Sequence, residues 1–188
     1  MLDRAAAREL LNQHVQSPSL RTHCQTVATA VEAYAQVQGA DRDLWYIAAL
    51  LHDFDYEEHP NLEEHPFAGV RLLKELGYPE TVTTAILSHA DYSGTPRTEP
   101  LHHALFACDE LCGFIVAVSR VRPSKSVHEV TVANVRKKMK EKSFAAAVNR
   151  DDIVAGAAEL GVELDNHIAF VIKALQAQAN TLGLAGTV

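Results

Sequence analysis

The chain has 188 residues, 47% hydrophobic and 22% charged, with 24 acidic residues against 17 basic ones and a formal net charge of −7. That length builds one sizeable core, and the negative charge excludes broad, sequence-independent binding of a nucleic-acid polymer while leaving room for a small phosphorylated substrate in a locally basic pocket. Three cysteines (Cys24, Cys108, Cys112) suit a reducing cytoplasm rather than a disulfide scaffold, no apolar run reaches the roughly 18 residues of a membrane span, and the start Met1-Leu2-Asp3-Arg4 lacks the apolar core of a signal peptide.

In chain order nearly every segment reads as helix. Asp3 caps a first helix through about His14, and Ser17-Pro18 opens a second with serine at the N-cap and proline at the first helical position. Leu20, His23, Val27, Ala30, Val31 and Tyr34 recur at steps of three and four, which puts His23 on the buried face; Gly39 stops the helix. Asp41 caps a third helix, whose apolar face of Leu44, Ile47, Ala48 and Leu51 delivers His52-Asp53 at its C-terminal end. Trp45 and Tyr46 read as core packing.

Residues 54–64 read as a polar, acidic loop. His65-Pro66 starts a helix through Leu76 that Gly77 closes, and Pro79 begins another that ends near His89. Residues 90–100 hold Gly94, Pro96 and Pro100 and read as loop. Leu101 to about Val121 reads as a central buried helix, with Cys108 and Cys112 on one core face. Asp109 and Glu110 interrupt it, and a carboxylate in a core is costly unless it is paired or ligates a metal. The character then changes: Arg120 to Ser126 is a basic turn, Ser126 to Glu129 has capping-box spacing, and Arg136 to Lys142 is a second basic stretch. Asn149 caps a helix ending at Gly161, and Asp165 caps a last one through about Leu182. No alternating strand pattern occurs. The expected fold is all-α, a single-domain helical bundle.

His23, His52, Asp53, His65, His89 and Asp109 each fall near a helix end or on a buried helical face. Imidazole and carboxylate together are ligand types for transition metals, and a carboxylate can bridge two ions. His14, His59, His102, His103, His128 and His167 read instead as ordinary hydrogen-bonded histidines.

The ordered series resembles the signature of the HD superfamily of metal-dependent phosphohydrolases, and the extra His65 and His89 match its two-metal variant. Residues 48–53 (AALLHD), 64–69 (EHPFAG), 85–89 (AILSH) and 107–110 (ACDE) carry the resemblance, which covers about residues 18–118, with a helical extension over 119–188. The whole chain is similar to a small bacterial group of predicted HD hydrolases. The resemblance implies that His23, His52, Asp53 and Asp109 hold a first metal and that Asp53 bridges to a second held by His65 and His89. One or two divalent ions, iron, manganese or zinc, would supply a hydroxide that cleaves a phosphate ester or anhydride of a nucleotide-like substrate. The spacing of the motifs resembles HD enzymes that cleave diadenosine tetraphosphate.

Many HD phosphohydrolases carry a lysine a few residues after the His-Asp pair, whereas this chain reads Phe54-Asp55-Tyr56-Glu57-Glu58. Transition-state charge then needs another cation: Arg122 and Lys125, then Lys137 and Lys138, or Arg97, against the alternative that these basic runs are solvated faces. Asp55 and Asp91 could each orient a ligand histidine or act as general acid. Two other functions share the ligand order: a di-iron HD oxygenase, and a non-catalytic, metal-stabilised domain that binds a nucleotide or a protein.

Overall fold

The computed structural model describes residues 3–186; Met1 and Leu2, part of the polar start considered above, lie outside the described residues. Helices run in the order α1 (Arg4–His14), α2 (Pro18–Gln38), α3 (Arg42–Leu50), α4 (Phe67–Glu75), α5 (Glu80–His89), α6 (Pro100–Arg120), α7 (Val132–Met139), α8 (Arg150–Glu159) and α9 (Leu164–Ala177). Short 3-10 turns occupy Asp91–Ser93 and Val127–Glu129, and no strand occurs among the described residues. The fold is all-α, as the periodicity requires.

Local chemistry sets most boundaries. Asp3 accepts a hydrogen bond from the Ala5 amide, Ser17 from Leu20 with Pro18 behind it, and Asp41 from Asp43 and Leu44, so three consecutive helices begin where a side chain satisfies an orphan amide. Gly39 ends α2 at φ +66°, in the left-handed region that other residues enter only at a cost.

Three features differ from expectation. Ser126 accepts from His128, which yields only the 3-10 turn; the reciprocal capping box forms later, between Thr131 and Asn134 at the start of α7. The last helix is capped by Glu163, whose carboxylate accepts from Asp165 and Asn166, and it stops at Ala177 instead of Leu182. Thirdly, α6 has 21 residues and a mean hydropathy of 1.5 over its most apolar window, which is long and apolar enough to cross a membrane. Of that window 67% is buried inside the protein, the position of a core helix. His102, His103, Asp109 and Glu110 break the helix into short apolar runs, so no continuous run marked it as long and apolar enough for a span, while its extent and buried position are as expected.

The chain divides within α6 into two compact units, one ending at Phe106 and the other beginning at Ala107. In the first, α3 packs against α1, α2 and α5, and α4 packs on α5. Ile47, Ala48, Ala49, Leu50 and Leu51 are completely buried, which makes α3 the centre of this unit. In the second, α9 packs against α7, α8 and the 3-10 turn at Val127–Glu129. His167 of α9 donates from Nε2 to the Ala107 carbonyl at 2.9 Å, and burial, only partly offset by that bond, lowers its pKa.

The close approach of α8 to the start of this second unit depends on Gly156, since a Cβ there would lie 2.6 Å from Ala107 Cα. Backbone cannot step aside as a side-chain tip can. Gly156→Ala should gain about 1 kcal/mol of helix propensity yet lose more to overpacking, for a net cost of about 1–2 kcal/mol. Thermal unfolding should then begin about 2–8 °C lower, whereas an unchanged or raised Tm would remove the packing constraint.

Candidate metal centre

The site is built where α3 stops. Leu51 is its C-cap, so His52 and Asp53 follow the last helical turn and escape the 100° separation that helix geometry imposes on neighbours. His23 comes from the second turn of α2, His65 from the residues preceding α4, and His89 from the last position of α5.

Asp53 is the hub. Its Oδ1 lies 3.3 Å from His65 Nε2 and 3.4 Å from His89 Nε2, and its Oδ2 lies 3.4 Å from His52 Nε2 and 3.6 Å from His23 Nε2. The two latter imidazoles approach each other Nε2 to Nε2 at 3.2 Å. Two donors bound to one ion at 2.0–2.1 Å, at right-angle to tetrahedral spread, stand roughly 2.9–3.4 Å apart. The observed separations are close to that spacing, so each carboxylate oxygen shares a potential ion position with two imidazoles. Asp53, His65 and His89 form a group whose ligand atoms all lie within 4.8 Å of one another.

The far edges of three rings are anchored. His52 Nδ1 donates to the Ala49 carbonyl at 2.8 Å, His89 Nδ1 to the Ile86 carbonyl, and His65 Nδ1 to Asp55 Oδ1 at 2.7 Å. Each acceptor fixes a proton on Nδ1 and turns Nε2 toward Asp53, so Nε2 is the nitrogen that would ligate an ion in exchange for its own proton. His52 is fully buried, and the side chains of His65 and His89 are 5% and 6% exposed. Burial alone would raise the Asp53 pKa, but the His52 charge and hydrogen bonds from His65 and His89 outweigh it and hold the carboxyl well below its ordinary range. Burial likewise opposes charge on His65, yet its bonds to Asp53 and Asp55 raise its pKa to about 9.

Of the two roles open to Asp55, its contacts serve orientation: it is buried, and its second oxygen accepts from the Gly69 amide at 2.7 Å. Gly69 is a residue that the sequence reading did not single out. A Cβ there would lie 2.7–2.9 Å from Phe54 and from the Asp55 carboxylate, so only glycine lets α4 approach this closely. The glycine two residues after a Pro-Phe helix start was the available signal. Asp91 is largely exposed and pairs with Arg97 at 2.6 Å. Arg97 also donates to the Ser88 carbonyl at 3.1 Å and stacks 3.7 Å over Phe106, so the pair clamps the C-terminal end of α5 beside His89.

The acidic run after His52-Asp53 is occupied elsewhere in the unit. Glu57 accepts from the Gln16 and Ser17 amides, both at 2.9 Å, and Glu58 pairs with His14 at 3.1 Å. Tyr56 is exposed and stands edge-on to His65, with ring centroids 5.2 Å apart. Asp109 lies on α6 in the second unit, which also carries Arg122, Lys125, Lys137 and Lys138 beyond that helix. Arg122 faces Glu129 at 3.8 Å, Lys125 is exposed in the left-handed region at φ 54°, Lys137 is exposed on the last turn of α7, and Lys138 pairs with Glu141 at 2.7 Å.

The model of the HD domain family matches residues 20–159. The chain belongs to the HD domain family. This HD match extends past the 118 at which the resemblance was drawn, into α8. No curated protein and no solved structure matches the chain. HD domains bind divalent metals, and here the imidazole–carboxylate donor set, with its Nε2 atoms turned toward Asp53, fits such an ion.

Two outcomes follow for the HD centre. Asp55→Asn should lower metal affinity about 10–100-fold, the usual cost of removing a carboxylate behind a ligand histidine, as measured by competition with a chelator. The raised pKa of His65 makes its protonated form a stabilising one in metal-free protein. That contribution is complete below the unfolded value near 6.5 and is lost as pH rises through about 9. The Tm of metal-free protein should therefore fall between pH 6.5 and 9, and the fall should shrink in Asp55→Asn.

Proposed function

We propose that this HD domain is a two-metal phosphohydrolase acting on a phosphate ester or anhydride of a nucleotide-like substrate. His23, His52, Asp53 and Asp109 would hold one divalent ion, and Asp53 with His65 and His89 would hold a second. The observation that carries the reading is the Asp53 carboxylate, each oxygen of which stands 3.3–3.6 Å from a different pair of imidazole nitrogens. Asp109 enters as the family's closing aspartate, in the motif at 107–110. Bound ions of this kind activate water at neutral pH and withdraw charge from phosphoryl oxygens. The donor set of nitrogen and carboxylate oxygen suits iron, manganese or zinc.

The chain's own residues orient and shield. Asp53 stays anionic at neutral pH and offers both oxygens. Asp55 and the Ala49 and Ile86 carbonyls hold three rings in the ligating tautomer, so little reorganisation accompanies loading. Arg122 and Lys125, supported by Lys137 and Lys138, supply the positive charge that the acidic run after the His-Asp pair lacks. Asp91 and Arg97 are positioning residues for the end of α5. The absence of nucleic-acid-binding charge and the three free thiols support a small-molecule substrate in a reducing cytoplasm.

Nucleotides and dinucleotide polyphosphates should release phosphate or mononucleotides when the protein is loaded with manganese, zinc or ferrous iron, and Asp53→Ala should reduce turnover to background. Full activity in that variant at unchanged metal content would overturn the assignment. Dioxygen uptake by iron-loaded protein without phosphate release would convert it to an oxygenase.

A further inference from the structure

The first unit holds a concavity of about 610 Å³ at the N-terminal ends of α5 and α6. Glu80 in its wall and His89 in the metal centre stand at opposite ends of α5, about 13 Å apart along the axis. The volume falls within the range of small-molecule sites.

Two side chains of this wall, Trp45 and His102, are only 6% and 5% exposed. The Nδ1 of His102 accepts the Thr98 and Glu99 amides at 3.3 and 3.4 Å, an arrangement that caps α6. The ring proton therefore sits on Nε2, at the opposite edge, and burial, against the nearby Glu99 charge, favours the neutral ring. Among the described residues, no hydrogen bond reaches this Nε2 or the indole N–H of Trp45, and neither atom is sealed in the core. Both donors belong to nearly buried side chains in one wall yet remain reachable from the concavity, so a molecule that brings acceptors can pair with both at once.

The rest of the wall restricts that molecule. No lysine or arginine lines the concavity, and Glu80 and Glu99 do, so a phosphate or carboxylate is repelled. Leu44, Pro100 and Leu101 supply apolar contact. We propose that this concavity binds a neutral, planar nitrogen heterocycle of nucleoside size. Its ring acceptors meet the Trp45 and His102 N–H groups, and its amino group donates to Glu80 or Glu99. The site is separate from the metal centre and stands whether or not the hydrolase reading holds.

Trp45 is the chain's single tryptophan, so its fluorescence reports directly on the wall. Adenosine, cytidine and AMP serve as probes, titrated with and without EDTA. At least one nucleoside should give a saturable change that EDTA leaves intact, with AMP binding at least tenfold more weakly. His102→Leu removes the donor and should weaken binding at least tenfold. Because it also uncaps α6, Thr84→Phe, which fills the concavity from α5 without touching a cap, should have the same effect in a protein of unchanged circular dichroism. Three results would each overturn the proposal: no saturable change with either nucleoside up to its solubility, AMP binding as tightly as adenosine, or a response that EDTA abolishes in folded protein.

Discussion

Four imidazoles turned toward one carboxylate make a costly cluster unless its charges are ordered. Asp53 provides the order, because an anion with two oxygens can pair with two imidazole nitrogens on each side at once. Its position sets demands on the whole first unit. Helix α3 must end at Leu50 so that His52 and Asp53 are freed from helical spacing. Helix α5 must end at His89, with its last carbonyls taken up by His89 itself, by Ser93 and by Arg97. Asp55 must be buried deeply enough to reach both His65 and the Gly69 amide. Packing, capping and ligand geometry are here one requirement seen from three sides.

That interdependence explains which features were legible from sequence. Helix starts were readable wherever Asp, Ser or Asn stood immediately before an apolar period, because capping is a local bond; Asp3, Ser17, Asp41 and Asn149 all serve as expected. Reading failed where two caps competed within a few residues. Glu163 took the capping role expected of Asp165, and Thr131 formed the reciprocal box expected at Ser126. Composition cannot rank such neighbours, since the winner depends on where the following helix must pack.

In the centre, the histidines and Asp53 were legible because ligand types in a fixed order are a one-dimensional signal. Asp55 was half legible: proximity marked it, but only the fold shows that it turns toward His65 and not toward solvent. Gly69 was marked only by its place after the Pro-Phe helix start, since its role is to leave empty a volume that Phe54 and Asp55 fill. The concavity beside Trp45 and His102 was equally hidden. Trp45 read as core packing and His102 as an ordinary hydrogen-bonded histidine, and both side chains are nearly buried; what sequence does not carry is which edge of each ring faces a concavity.

The acidic run after the His-Asp pair carries a historical consequence. Glu57 binds the two amides that lead into α2, and Glu58 holds His14 at the end of α1. A lysine installed in this run at either position, to match relatives, would strip one of those junctions of its acceptor. The lineage is thus committed: the junction and the acidic run must change together or not at all, and single-residue paths between this chain and lysine-bearing members of its family pass through a loosened first helix pair.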